Sequence, residues 1–188
     1  MSPGPDRRTH VLVVRPDSAG DVLLAGPAVR AVAATAGRVT LWCGPNGRAA
    51  AELLPGVDAL VEHRAAWIDP DATEVDRTRI LALVDDLAGL RLDQAVVLTS
   101  FHQSPLPAAL LLRLAGVPTI AAVSDDFPGA LLDVRHRVAD DVHEVERSLS
   151  LVATLGYRLP HGDHGGLAVR LPADVDPAPV DPAHVVLH

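Results

Sequence analysis

The sequence predicts a doubly wound α/β domain, a parallel sheet with helices on both faces. Two observations carry this. Short β-branched runs alternate along the chain with alanine- and leucine-rich stretches of helical period. The helical stretches are also long enough to cross over a sheet and return the chain to a parallel neighbour.

The elements follow in order. Residues 10–15 (HVLVVR) read as a buried strand. Residues 21–36 read as one mostly buried helix, with Val22, Ala25, Val29 and Val32 in a stripe that Leu23, Leu24 and Ala28 widen. Pro27 lies too deep for a first-turn proline in that span, so a kink is expected there. Residues 38–43 (RVTLWC) form the second strand, and Gly44, Pro45, Asn46 and Gly47 break the chain. A short helix over about 47–54 stops before Pro55 and Gly56, and Val57 to Val61 is a weak third strand. Thr73 with Asp76 three residues on resembles a capping box, and Ile80, Leu83, Val84 and Leu87 continue at helical spacing.

Residues 93–99 (DQAVVLT) are a fourth strand. Ser104 and Pro105 supply a cap and a first-turn proline for the next helix, which Gly116 and Pro118 stop. Residues 119–123 (TIAAV) are a fifth strand. A helix over 142–155 turns Val145, Leu149, Val152 and Leu155 inward and Glu144, Arg147 and Ser148 outward, and Gly156 ends it. From 157 to 184 the chain is rich in proline and glycine and reads as a linker, followed by VVLH at 185–188.

Composition narrows the function. The 188 residues are 48% hydrophobic and 21% charged, enough for one domain with a real core. A net charge of −8, from 24 acidic and 16 basic residues, weighs against nucleic acid as a partner. No block of basic residues suggests a membrane anchor. All the basic residues are arginine, so contacts to anions fall to Arg, His or backbone N–H. One cysteine, Cys43, sits in an apolar run and reads as a buried strand thiol rather than a nucleophile. No intrachain disulfide can form, no signal peptide is evident, and no stretch approaches a membrane span. The expected location is the cytoplasm, at most peripheral to the inner face of the membrane.

Ligands of such sheets bind beyond the carboxyl ends of the strands. Two segments lie at that edge, Ser18 to Asp21 and Ser100 to Ser104. A dinucleotide site is disfavoured, because G-x-G-x-x-G is absent and the turn carries Asp17 and Asp21 instead. Asp21 is a natural helix N-cap. A carboxylate there can also point into the cleft and take a proton from a substrate hydroxyl. His102 could contact an acceptor hydroxyl or phosphate, or be a plain loop histidine. Arg15 could face the cleft or cap the sheet. His161 and His164 have metal-like spacing without a supporting cluster, and His143 with Glu146 and Asp140 reads as a surface hydrogen-bond set. The D-x-D pairs Asp69/Asp71 and Asp174/Asp176 fall in proline-containing loops and are discounted. No metal site is expected.

The segment R-P-D-S-A-G-D-V-L-L-A-G-P-A-V-R-A, residues 15–31, resembles the amino-terminal signature of the heptosyltransferase-like enzymes of glycosyltransferase family nine. D-Q-A-V-V-L followed by a helix ending L-A-G-V-P, and H-E-V-E-R-S-L-S-L-V-A-T-L-G at 143–156, are similar to later regions in the same order. The resemblance covers the chain to Gly156. It implies a GT-B fold of two Rossmann-like halves, the amino-terminal half holding the acceptor and the other the nucleotide-sugar, a co-substrate rather than a cofactor. It implies that Asp21 is the general base of an inverting transfer of a sugar such as heptose, beside Ser18, Ala19 and Gly20, with no metal required. On this reading residues 1–156 are the acceptor-side domain and VVLH begins a second domain. The chain is then expected to be an amino-terminal half, inactive alone and able to self-associate through its uncovered cleft face. The acceptor would be a glycan, a lipid-linked sugar or a small molecule. The alternative is a Rossmann-like module that binds a small ligand or a protein without chemistry.

Overall fold

In the computed structural model the described residues are 9–171, apart from 70, 72, 73 and 140. Six parallel strands form one sheet in the order β3-β2-β1-β4-β5-β6. They are β1 His10–Arg15, β2 Arg38–Cys43, β3 Ala59–Glu62, β4 Gln94–Val97, β5 Thr119–Val123 and β6 Val134–His136. The fold is Rossmann-like, and the strand order reverses between β1 and β4, where α/β sheets open a crevice.

Strand alternation divides the core in two. Val11 and Val13 of β1 face one side, with Val22, Val29, Val32, Leu151 and Val152. Leu12 and Val14 face the other, with Trp42, Leu83, Leu87, Ala109 and Leu112. The first side is covered by helices α1 Ala19–Leu24, α2 Gly26–Ala33, α3 Arg48–Leu53 and α6 Glu144–Thr154. The second is covered by α4 Arg77–Gly89 and α5 Leu106–Leu114. Gly116, at φ +81°, ends α5 in the left-handed conformation that glycine tolerates best.

Several boundaries differ from the sequence reading. The span 21–36 is two helices, not one with a kink. Ala25 is the junction, and Pro27 lies in the first turn of α2, where its missing N–H costs nothing. A 3-10 turn, Pro45–Gly47, precedes α3. The third strand starts two residues later than expected and ends at Glu62. Asp76, not Thr73, caps α4, its carboxylate accepting from Arg79 N at 2.8 Å, and Thr73 lies outside the described residues. Beyond β5 the chain forms β6, which is only three residues long and interrupts its apolar period with Arg135. Ser148, expected to face outward, is buried at 3% exposure.

After β6 the chain recrosses the sheet so that α6 packs beside α2. Tyr157 fixes this return, donating to Gln94 Oε1 at 2.7 Å. Residues 157–171 continue along the domain. Arg30 pairs with Asp163 at 2.6 Å, and Arg170 N donates to Leu53 O at 2.7 Å. The rest of the linker span, the VVLH segment, Asp140, Asp174 and Asp176 lie outside the described residues. No described helix is long and apolar enough to cross a membrane.

Candidate functional site

The site is built on the last residue of β1. Arg15 is 1% exposed, yet charged, and a buried charge persists only when paired. Its Nη1 donates to Glu144 Oε1 at 2.7 Å, and its Nη2 donates to Asp21 Oδ1 and to Ser100 Oγ, each at 3.0 Å. Its Nε lies 2.9 Å from Asp17 Oδ2, an ion contact without hydrogen-bond alignment. One guanidinium thereby gathers the turn after β1, the loop after β4 and the start of α6.

Asp21 occupies the first turn of α1 in a reciprocal cap. Ser18 Oγ donates to Asp21 Oδ2 at 2.7 Å and accepts from Asp21 N at 3.3 Å, while Ser18 N also reaches Oδ2 at 3.3 Å. The carboxylate is 30% exposed. Burial pushes its pKa up, but the Ser18 hydroxyl and then the Arg15 guanidinium outweigh it and hold Asp21 below the usual carboxylate range. Asp17 goes the other way. Its side chain is 3% exposed, and burial pushes its carboxyl up. Arg15 and the Gln103 amide, which donates to Oδ1 at 2.5 Å, oppose that rise. Of the two, Asp21 is ionised and open to solvent, whereas Asp17 is sealed.

These groups border a cavity of about 280 Å³ at the switch point. Its walls are Pro16, Asp17, Ser18 and Asp21 after β1, Gly44, Pro45 and Asn46 after β2, Ile68 and Asp69 after β3, and Ser100 and Gln103 after β4. Gly44 is required by close packing, since a Cβ there would lie 2.5 Å from Pro16 O. Of the residues singled out in the sequence, Ser18 and Asp21 line this cavity. Ala19 and Gly20 are exposed in the first turn of α1 and do not line it. Gly20 has open surroundings, with Ser18 Oγ the nearest atom to an added Cβ at 3.7 Å. His102 is exposed and lines a separate cavity of about 220 Å³ with Arg147 and Asp125. Arg15 faces the protein rather than solvent.

Sequence reading missed Glu144, Asp17 and Gln103 as members of the site. Helical period alone gives Glu144 an outward face, but the recrossing of α6 aims it at Arg15. Asp17 carried a signal, being two residues past a buried strand arginine. Asp69 belongs to the cavity wall rather than to a metal motif. Asp163, between the two metal-spaced histidines, instead bonds Arg30. Among the described residues no group of three or more His, Cys, Asp or Glu is placed to hold a metal ion.

No family model matches the chain, and no curated protein sequence matches it. Solved structures do resemble its fold. The E. coli ADP-heptose LPS heptosyltransferase II superposes with a TM-score of 0.59 at 20% identity, over 76% of this chain and 40% of that one. The E. coli heptosyltransferase WaaC with ADP gives 0.58 at 21% identity, over 82% and 50%. A glycosyl transferase of family 9 from Veillonella parvula gives 0.63 at 16% identity, over 87% and 45%. The chain therefore spans half or less of the length of these proteins, and at such identities the likeness is one of fold.

Proposed function

We propose that this chain is the amino-terminal, acceptor-side half of an inverting glycosyltransferase of GT-B architecture, with Asp21 as general base. The observation that carries the reading is the placement of one ionised, solvent-reachable carboxylate on the wall of the switch-point cavity, oriented by Ser18 and Arg15. The sequence signature around it and the folds of the heptosyltransferases support the same assignment.

In the proposed reaction an acceptor hydroxyl enters the cavity and hydrogen-bonds to Asp21. Its oxygen attacks the anomeric carbon of a nucleotide-sugar held by the other half. The hydroxyl proton passes to Asp21, and the glycosyl–phosphate bond breaks with its electron pair leaving on the nucleoside diphosphate. Arg15 orients the carboxylate but weakens it as a base. The donor's negative charge and the exclusion of water on closure act in the opposite sense, raising its proton affinity where transfer occurs. Asp17 and Asp21 also repel a diphosphate, which favours the donor's phosphates on the other half. The transferred sugar is a heptose or a related pyranose.

The single buried thiol fits a reducing compartment, and we place the protein in the cytoplasm. Phe101 and Phe127, at 50% and 85% exposure, leave apolar surface on the loops after β4 and β5. The donor half, or a second copy, is the proposed cover for it.

The test is a screen of nucleotide-sugars against hydroxylated acceptors with the complete protein, reading the anomeric configuration of the product. Inverted product is expected. Retention of configuration would overturn the single-displacement mechanism. Binding of a small ligand with no transfer from any donor would favour a non-catalytic module.

A further inference from the structure

Arg15 meets Asp21 with one terminal nitrogen of its guanidinium and Glu144 with the other. Nη2 is shared by Asp21 Oδ1 and Ser100 Oγ, each at 3.0 Å, while Nη1 donates to Glu144 Oε1 at 2.7 Å. The Arg15 side chain is 1% exposed, against 22% for Glu144 and 30% for Asp21. A donor buried that deeply keeps its place only while its acceptor stands, because the unpaired group is costly. Glu144 is the first residue of α6. His143 Nδ1 caps that helix by accepting from Val145 N at 3.2 Å, so the Glu144 carboxylate is available to an arginine 129 residues earlier in the chain.

The other charges on the surrounding elements are engaged elsewhere. Arg48 pairs with Glu52 on α3, Arg30 with Asp163 beside α6, and Arg64 with Asp69 on the cavity wall. On β6, Arg135 donates to Ser124 O and His136 bonds Ser150 Oγ. Arg147 lies over the Phe101 ring at 5.9 Å. Asp17, 3% exposed, faces the same guanidinium at Nε.

We infer that Glu144 is a positioning residue for the proposed transfer, acting on Asp21 through Arg15. It does not line the switch-point cavity, so it acts at one remove. Its carboxylate has two effects. It anchors the guanidinium at the nitrogen opposite Asp21, and that fixes Asp21 between Arg15 at Oδ1 and Ser18 at Oδ2. It also sets a negative charge across the guanidinium from Asp21, offsetting part of the field by which Arg15 weakens that base. Arg15 alone would orient Asp21 and weaken it; with Glu144 opposite, it orients Asp21 and weakens it less. This deepens the reading above and rests on Asp21 being the base.

Two variants separate the effects. Glu144→Gln keeps an acceptor for Nη1 and removes the charge, whereas Glu144→Ala removes both. Glu146→Gln, at an exposed position of α6, is the control. In the 188-residue chain, carboxyl NMR should show the Asp21 pKa lowered by about 0.5 or more in Glu144→Gln and unmoved in Glu146→Gln. The Arg15 side-chain N–H signals should exchange slowly in wild type and Glu144→Gln, and be lost in Glu144→Ala. In the complete protein Glu144→Gln should lower kcat about two- to fivefold, with KM for the acceptor within about twofold. A base of lower pKa stays ionised to lower pH, so the acid limb of kcat/KM should move down while the plateau falls. Glu144→Ala should lose about tenfold or more, and glutamine thus rescues part of the loss. If the alanine variant fails to fold, the glutamine variant and its control carry the test. An Asp21 pKa unmoved or raised in Glu144→Gln, equal losses from the two variants, or a loss confined to KM overturns the inference. The titration is read without donor. An Asp21 shift beside normal transfer by Asp21→Asn would therefore refute the base assignment and leave the electrostatic coupling in place.

Discussion

Ser18→Ala isolates the link between the cap of α1 and the candidate base. The hydroxyl has two roles. It accepts from Asp21 N at 3.3 Å, a long bond, and donates to Asp21 Oδ2 at 2.7 Å. The cap contributes about 0.5 kcal/mol at that length. A hydrogen bond to a charged group contributes ~1.5–3 kcal/mol when well buried, and about 1 kcal/mol is appropriate for a carboxylate that retains solvent contact. The variant should therefore lose about 1.5 kcal/mol at pH 7, or roughly 0.7 M in urea midpoint for a slope near 2 kcal/mol/M.

The loss should depend on pH. Asp21 in the folded protein lies below its unfolded value, so its contribution is fully present above an unfolded pKa of about 3.9 and disappears as pH falls through the lower folded pKa. The difference between variant and wild type should be flat from neutral pH to about pH 4. Below that it should shrink towards the ~0.5 kcal/mol of the cap alone. Urea curves at several pH values, with a carboxyl NMR titration of Asp21, measure both parts. A loss below about 0.3 kcal/mol at pH 7, a loss unchanged in acid, or an Asp21 pKa that does not rise in the variant would refute the reasoning.

Two glycines near the site should respond oppositely. Gly44→Ala forces a Cβ to within 2.5 Å of Pro16 O and should cost about 2–3 kcal/mol. Gly20→Ala, with 3.7 Å to its nearest neighbour, should be neutral or stabilising by up to about 1 kcal/mol, both read by thermal unfolding. Asp163 is held down to about 2 by the Arg30 guanidinium. Asp163→Asn should cost about 1 kcal/mol above pH 4, falling away as the pH drops towards 2, and should speed proteolysis between Tyr157 and Gly166. Burial, then the Glu62 carboxylate, pushes the Cys43 thiol up, so its alkylation should proceed only at the rate of unfolding. Faster labelling in native buffer would contradict that placement.

Much of the fold was legible because strong local signals agree with the tertiary outcome. The spans of β1, β2 and β5 match their apolar runs to the residue. The splitting of the first helix was not legible, since alanine-rich sequence is compatible with one helix or two and only packing decides. Strand β6 was hidden because three residues with a central arginine carry no period. In the site, Ser18 and Asp21 follow from the strand–turn–helix pattern. Glu144 does not, because its approach to Arg15 spans 129 residues and depends on α6 recrossing the sheet. Gln103 reaches Asp17 across 86 residues, a contact set by the neighbouring positions of β1 and β4.

The most direct test of the account is the single-turnover rate of glycosyl transfer by the complete protein carrying Asp21→Asn, measured with donor affinity on the same preparation. The amide keeps the size of the side chain and removes its capacity to take a proton. A fall of about 10²–10⁴-fold in the transfer step with donor binding unchanged is the predicted result. Transfer within a few-fold of wild type would contradict the assignment of Asp21 as the base.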